Sequence, residues 1–126
     1  MAHYAFLDEN NIVTEVIPGK NEGEEGIDWE QFYGQIKGQV CKRTSYNTLE
    51  NRRIDGGVPF RGNYAGIGHK YLPEYDIFVR WPKPYPSWIL DLDRCKWTAP
   101  ISKPTDDDYE WDEENQKWIF IRKTTF

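Results

Sequence analysis

Carboxylates are the most abundant side chains in this sequence that could bind a metal or take part in acid–base catalysis. Eight of them lie close together near the C-terminus: Asp91, Asp93, Asp106, Asp107, Asp108, Asp112, Glu113 and Glu114. A calcium-binding loop needs acidic residues at alternate positions, a central glycine and a final glutamate, and the sequence contains no such run. Acidic residues in hairpin turns commonly serve turn geometry and solvation. We therefore predict no metal site and no catalytic carboxylates.

Histidine, serine and cysteine do not form a recognisable catalytic or metal-binding pattern either. His3 and His69 each lack a Cys or His at metal-ligand spacing, which argues against a zinc site. No nucleophile-elbow motif surrounds any of three serines that could act as a nucleophile, namely Ser45, Ser87 and Ser102. Cys41 and Cys95 have neither metal-ligand spacing nor the number of a disulfide framework, so we expect buried free thiols. The sequence thus predicts no enzyme and no cofactor.

Size and composition narrow the function classes further. A chain of 126 residues forms one compact domain, with or without a tail. Its formal net charge is −5 and its 16 basic residues are scattered, which argues against a nucleic-acid-binding surface. No apolar run is long enough to span a membrane, and no secretory signal follows Met1. Aromatic residues make up 16% of the chain, which favours β-structure and contact surfaces.

The elements that must position these residues are organised around an internal repeat. Ser87–Trp97 and Asp108–Trp118 both contain an aromatic residue, then an acidic cluster, then a lysine followed by a tryptophan, and each position recurs 21 residues later. Such a pattern predicts two β-hairpins with polar four-residue turns. Turns centred on Asp93/Arg94 and on Glu114/Asn115 would place Leu90 opposite Trp97, Asp91 opposite Lys96, Trp111 opposite Trp118 and Asp112 opposite Lys117.

The rest of the sequence predicts a mainly β fold of several short antiparallel hairpins, proline-rich connectors and at most one short helix. We expect a hairpin over His3–Ile17, a loop over Lys20–Gly26, a helix near residues 28–37, a strand within Gln39–Thr48, an extended loop over Asn47–Asn63 and a hairpin of ambiguous register over His69–Arg80. Residues 1–80 would form a β-rich N-terminal domain. Residues 81–126 would form the proline-linked repeated hairpins, packed on that domain or on a partner.

The aromatic surplus has two interpretations. The rings could fill the cores of small β units, or some of them could lie exposed as a sugar-stacking or protein-contact surface. Three prolines force Trp81–Pro86 into an extended conformation, which favours contact for Trp81 and Tyr85. We take Tyr64, Trp81, Tyr85 and Trp88 as candidate partner contacts.

Several segments of the chain together carry a family resemblance. They are Asn63–Gly68, Pro82–Trp88, Leu90-Asp91, Ala99-Pro100 and Tyr109–Glu113, with Tyr71, Asp76, Phe78, Cys95, Trp97 and Trp118, and also Met1–Ala5, Asn10–Val13 and Thr44–Asn47. Together these segments resemble a group of small proteins of marine cyanophages and related tailed phages. This resemblance covers most of the chain except about residues 19–37 and the last few. The resemblance implies a virion component and supplies no catalytic residues.

The resemblance and the composition lead to one main expectation and two alternatives. We expect a non-enzymatic structural component of a tailed-phage virion, either a capsid decoration protein or a tail- or neck-associated subunit, made in the host cytoplasm. Its partners would be other virion proteins or further copies of itself, and not nucleic acid or membrane. The alternatives are a receptor- or glycan-binding module on the particle and a small non-structural phage factor.

Overall fold

The computed structural model describes residues 2–105 and 108–121. Along the chain these form strands β1 (Ala2–Leu7) and β2 (Val13–Gly19), helix α1 (Trp29–Lys37), and strands β3 (Val40–Thr44), β4 (Thr48–Leu49), β5 (Arg52–Arg53), β6 (Lys70–Leu72), β7 (Ile77–Val79), β8 (Ile89–Asp91), β9 (Lys96–Thr98), β10 (Tyr109–Asp112) and β11 (Lys117–Phe120). The prediction of a mainly β fold of short antiparallel hairpins with one short helix is confirmed. No helix in the described part of the chain is long and apolar enough to cross a bilayer.

The core is built on a three-stranded antiparallel sheet in the order β2-β1-β3. Its central strand is buried on both faces, because Tyr4 and Phe6 project to one side and Ala5 and Leu7 to the other. The predicted N-terminal hairpin is confirmed, and its turn is fixed by Asp8, whose side chain accepts hydrogen bonds from the backbone N–H groups of residues 10 and 12.

Helix α1 covers one face of this sheet. The Asp28 side chain accepts from the backbone N–H of Gln31 at the N-terminus, and Gly38 ends the helix in the left-handed conformation, so the helix lies within the predicted range near residues 28–37. Trp29 and Tyr33 pack against the sheet, but Ile36 is 71% exposed. Only the side of the helix that carries Trp29 and Tyr33 is therefore buried against the sheet.

Two segments expected to be loops contain regular structure. Residues 24–26 form a short 3-10 turn, and the Asn47–Asn63 segment contains the small hairpin β4–β5. The extended-loop prediction was wrong there because two polar side chains act as structural groups. Thr48 is buried and accepts a hydrogen bond from the N–H of Phe60, and Asn63 is buried beneath the turn. Polar composition alone does not reveal such internal partners.

The two repeated hairpins form with the predicted pairing. Leu90 lies opposite Trp97 and Asp91 opposite Lys96 in β8–β9, while Trp111 lies opposite Trp118 and Asp112 opposite Lys117 in β10–β11. The hairpin expected over His69–Arg80 is β6–β7, and its register pairs Tyr71 with Phe78.

The hairpins β6–β7, β8–β9 and β10–β11 share one backbone feature, although their side chains at this position differ. Each four-residue turn ends in a residue with positive φ, namely Asp76, Cys95 and Gln116. Hairpin β6–β7 is thus a third copy of the same unit, with different side chains at the shared turn position.

Candidate contact surface

Tryptophan side chains link the hairpins β8–β9 and β10–β11 to the connectors that precede them. The indole N–H of Trp97 donates to the carbonyl of Arg80 at 2.7 Å, and the indole N–H of Trp118 donates to the carbonyl of Ile101 at 2.7 Å. Both bonds span 17 residues, so the same connection recurs at both steps of the chain. The three hairpins therefore form a row, which we call the hairpin ladder, joined by aromatic side chains.

The first step of the ladder rests on the N-terminal part of the protein. Cys95 packs with Ile77 and Val79, and Gly62 lies so close that an added Cβ would fall 2.9 Å from the Cys95 sulfur. The buried Asn63 side chain donates to the carbonyls of both Phe78 and Cys95 at 2.8 Å. Only a glycine fits at position 62, because this close approach leaves no room for a side chain.

The second step is a cluster of indole rings and one carboxylate. The Trp88 ring lies 6.2 Å from the rings of both Trp111 and Trp118, and those two rings lie 5.2 Å apart. Glu113 accepts from the hydroxyl of Ser87 at 2.6 Å and from the indole N–H of Trp111 at 2.8 Å. These hydrogen bonds, that of Ser87 above all, hold the pKa of Glu113 below its ordinary value.

The four predicted contact residues, Tyr64, Trp81, Tyr85 and Trp88, differ in exposure and in their neighbours. The Tyr64 ring contacts His3 edge-on, and its backbone N–H donates to the carbonyl of Thr48. Trp81 is 39% exposed and lies under the ammonium of Lys70, 4.3 Å from the ring centroid. Tyr85 and Trp88 contact each other, and both are half-buried. Of the four, Trp81 is the most open to a partner, and Trp88 already packs within the ladder.

A groove runs between the second and third hairpins. It has a volume of about 440 Å³ and is lined by three indoles, Trp88, Trp97 and Trp118, together with polar side chains that include Asp91 and Lys103. We call it the inter-hairpin groove. Flat aromatic surfaces beside a carboxylate and an ammonium can contact both the apolar and the polar parts of a ligand.

Trp97 also lines a second cavity, of about 390 Å³. It is lined by Pro82 and Pro84 of the connector, by Leu49, and by the charged side chains of Glu50, Arg80 and Lys96. We call it the connector pocket. Trp97 lines both the inter-hairpin groove and the connector pocket. The two cavities are therefore adjacent, and they can hold two parts of one ligand or two separate ligands.

The far end of the ladder exposes apolar side chains. Phe120 is 56% exposed, and its neighbours Ile119 and Ile121 are also exposed. Successive residues of a strand point to opposite faces, so hairpin β10–β11 presents apolar side chains on both faces. An exposed apolar patch of this kind is typical of a protein contact.

The cysteines and His69 are buried or hydrogen-bonded within the fold. Cys41 and Cys95 are both buried free thiols, and burial raises the pKa of Cys41 to about 12. Burial, then Arg80, lowers the pKa of His69, whose Nδ1 accepts from the backbone N–H of Gly66. No group of three or more potential metal-ligating side chains occurs within residues 2–105 and 108–121. Asp106 and Asp107 of the acidic cluster lie outside that part of the chain.

Comparisons of the chain with protein-family models, with curated proteins and with solved structures found no match.

Several residues of this surface were not singled out by sequence reasoning. Arg80 and Leu49 come from separate segments that only the fold brings together at the connector pocket. The sequence predicts only a role in turn geometry and solvation for Glu113, as for the other turn carboxylates. In the structure its side chain accepts a hydrogen bond from Ser87, which joins the second and third repeat units. The repeated Lys-Trp pair was a signal for Trp97 and Trp118, since two units with the same aromatic position make the same long-range hydrogen bond.

Proposed function

We propose that the protein is a non-enzymatic structural subunit of a tailed-phage virion that acts through contacts with other virion proteins. The family resemblance of the sequence supports the phage setting. The observation that carries the contact role is the apolar surface on both faces of β10–β11, at the end of the hairpin ladder. A two-stranded hairpin is marginally stable alone, and its stability rises when a neighbour covers its apolar faces.

The chemistry of this surface suits a protein partner. Phe120 and Ile119 offer apolar area, while the adjacent turn and connector residues supply a polar rim. The net charge of −5 opposes binding to the phosphate backbone of nucleic acid. The partner is another virion protein or a further copy of this chain.

The proposal is tested by mass spectrometry of purified particles from the phage that encodes the chain. We expect its peptides at a fixed copy number relative to a major virion subunit. Tagged Phe120→Ser should be incorporated less than the tagged wild type, because the substitution removes an apolar contact. Tagged Ile36→Ser is the matched control, since Ile36 is also strongly exposed but lies in helix α1, outside the predicted contact segments. Absence of the protein from particles would contradict the proposal and favour a small non-structural factor.

A second candidate function, a receptor- or glycan-binding module on the particle, is favoured by the inter-hairpin groove. Sugars have apolar C–H faces that stack on indoles and hydroxyl groups that bond to carboxylate and ammonium groups, and Trp88, Trp97, Trp118, Asp91 and Lys103 supply these partners. A glycan array probed with the isolated protein separates the two candidates. Binding that is lost on Asp91→Asn would support the glycan function, and an array without any bound glycan would remove it.

A further inference from the structure

The connector pocket has the dimensions and the walls of a small-ligand site. Its volume of about 390 Å³ lies within the range of ligand pockets in proteins. Two proline rings, Pro82 and Pro84, together with Leu49 and the Trp97 indole form its apolar walls. These are flat or compact surfaces, which suit a rigid ring better than a flexible chain.

The polar atoms at the base of the pocket already have partners within the protein. The Asn63 amide donates to two carbonyls, and its oxygen accepts from the backbone N–H of Glu50 at 2.8 Å. The carboxylate of Glu50 pairs with the ammonium of Lys96 at 2.7 Å. A ligand would therefore gain little from these groups.

Arg80 is different. Within the described residues its guanidinium takes part in no ion pair or side-chain hydrogen bond, while its backbone carbonyl accepts from the Trp97 indole. The lining thus has two cations, Arg80 and Lys96, against the single carboxylate of Glu50. Lys83 adds a third positive charge 5.6 Å from the centroid of the Trp97 ring.

This local charge is opposite in sign to that of the whole chain. The pKa of Glu50 lies below its ordinary value because of its hydrogen bond to Lys96, with further contributions from the positive charges of Lys96, Arg94 and Arg80. An arginine that lines a pocket with apolar walls and has no ion-pair partner among the described residues matches a ligand that combines a rigid ring with one anionic group.

We propose that the connector pocket binds a sugar that carries a carboxylate, with the carboxylate on Arg80 and the sugar ring against Trp97 and the prolines. A guanidinium can bond to both oxygens of a carboxylate, and the C–H face of a pyranose packs on an indole. The hydrogen bond from Trp97 to the Arg80 backbone fixes the spacing between the aromatic wall and the residue that supplies the charge. This site goes beyond the contact role at β10–β11 and is independent of it.

The test uses the isolated full chain and three probes in two-dimensional NMR titrations. D-glucuronic acid has the ring and the carboxylate, D-glucose has the ring alone, and acetate has the carboxylate alone. We expect glucuronate to bind about tenfold or more tightly than either partial probe, because only it engages Arg80 and the walls together. Its shifts should include the Trp97 indole N–H and the amides of residues 80 and 96.

A matched pair of variants tests whether Arg80 supplies the positive charge that binds the carboxylate. Arg80→Gln should lower glucuronate affinity about tenfold. Arg94→Gln removes the same charge near Glu50 without touching the lining, and it should leave the affinity unchanged. Equal affinity for the three probes, shifts that avoid the pocket, or an unchanged affinity in Arg80→Gln would each overturn the proposal. The shift pattern of the wild type decides the question even if a variant fails to fold.

Discussion

Two tryptophan residues hold the hairpins and connectors of the ladder together. Trp97 and Trp118 each contribute a large apolar ring and one indole N–H, and each N–H bonds to a carbonyl of the preceding connector. The ring supplies non-directional stabilisation, whereas the N–H fixes where the connector lies. Trp88 supplies a ring to the same cluster, but its indole nitrogen is buried and has no hydrogen-bond partner within the described residues.

This difference predicts unequal costs for the same substitution. Trp118→Phe removes a satisfied donor and leaves the Ile101 carbonyl without it, so we expect an extra loss of about 0.5–1.5 kcal/mol in the free energy of unfolding. Trp88→Phe removes a donor that has no partner, and it is the matched control within one cluster. Urea denaturation followed by tryptophan fluorescence measures both. Equal losses in the two variants would contradict a role for the indole hydrogen bond.

The cysteines provide a second prediction at the residue scale. Both thiols are buried and free, and burial raises the pKa of each, that of Cys41 to about 12. A protonated, buried thiol reacts slowly, because the thiolate is the nucleophile. We expect neither to react with iodoacetamide in the folded protein at about pH 8, and both to react after denaturation without a reductant. Mass spectrometry reads the result. A mass lower by two hydrogens, with no alkylation, would show a disulfide instead.

At the scale of elements, Glu113 connects the turn of the third hairpin to Ser87, which lies two residues before the second hairpin begins. Its pKa lies below the ordinary value of 4.5, because Ser87 and Trp111 donate hydrogen bonds to its charged form. The folded state therefore binds this proton more weakly than the unfolded state. The resulting stabilisation is present above the unfolded-state pKa and is lost as the pH falls through the lower folded-state pKa.

The third prediction follows from that sign. Glu113→Gln should unfold at a lower temperature than the wild type at about pH 7, and the difference should be smaller at about pH 3, because acidification moves the wild-type carboxyl towards its protonated form. Glu114→Gln is the control, because Glu114 lies exposed in the same turn. Calorimetry at both pH values measures the melting temperatures. A difference of the same size at both pH values would show that the charge of Glu113 does not contribute.

Elements built from neighbouring residues could be predicted from the sequence, and those built from distant residues could not. The Leu90–Trp97 and Trp111–Trp118 pairs follow from alternation and turn composition, which are local signals. The pairing of β1 with β3 joins segments more than 30 residues apart, and no local pattern encodes it. The connector pocket could not be predicted for the same reason, because Leu49 and Arg80 are distant in sequence and come together only in the folded chain.

At the scale of the whole molecule, the protein combines a three-stranded sheet covered by one helix with a row of small hairpins. The sheet and helix bury large residues such as Tyr4, Phe6 and Trp29. The ladder buries fewer residues and exposes more apolar surface towards its end, at Phe120 and its neighbours. Local stability should therefore fall along the chain, and the ladder has the most to gain from a partner.

Hydrogen exchange of the free protein and of intact phage particles tests the contact role most directly. The backbone N–H groups of residues 54–58, of the non-proline residues within 81–88 and of residues 119–121 lie in exposed or proline-rich parts. They should exchange about tenfold or more slowly in particles, because a partner covers them. Strand β1 serves as the internal control, since it is already buried in the free protein. Slower exchange at the three segments with unchanged exchange in β1 is the predicted result. Equal exchange of these segments in both samples would contradict the account.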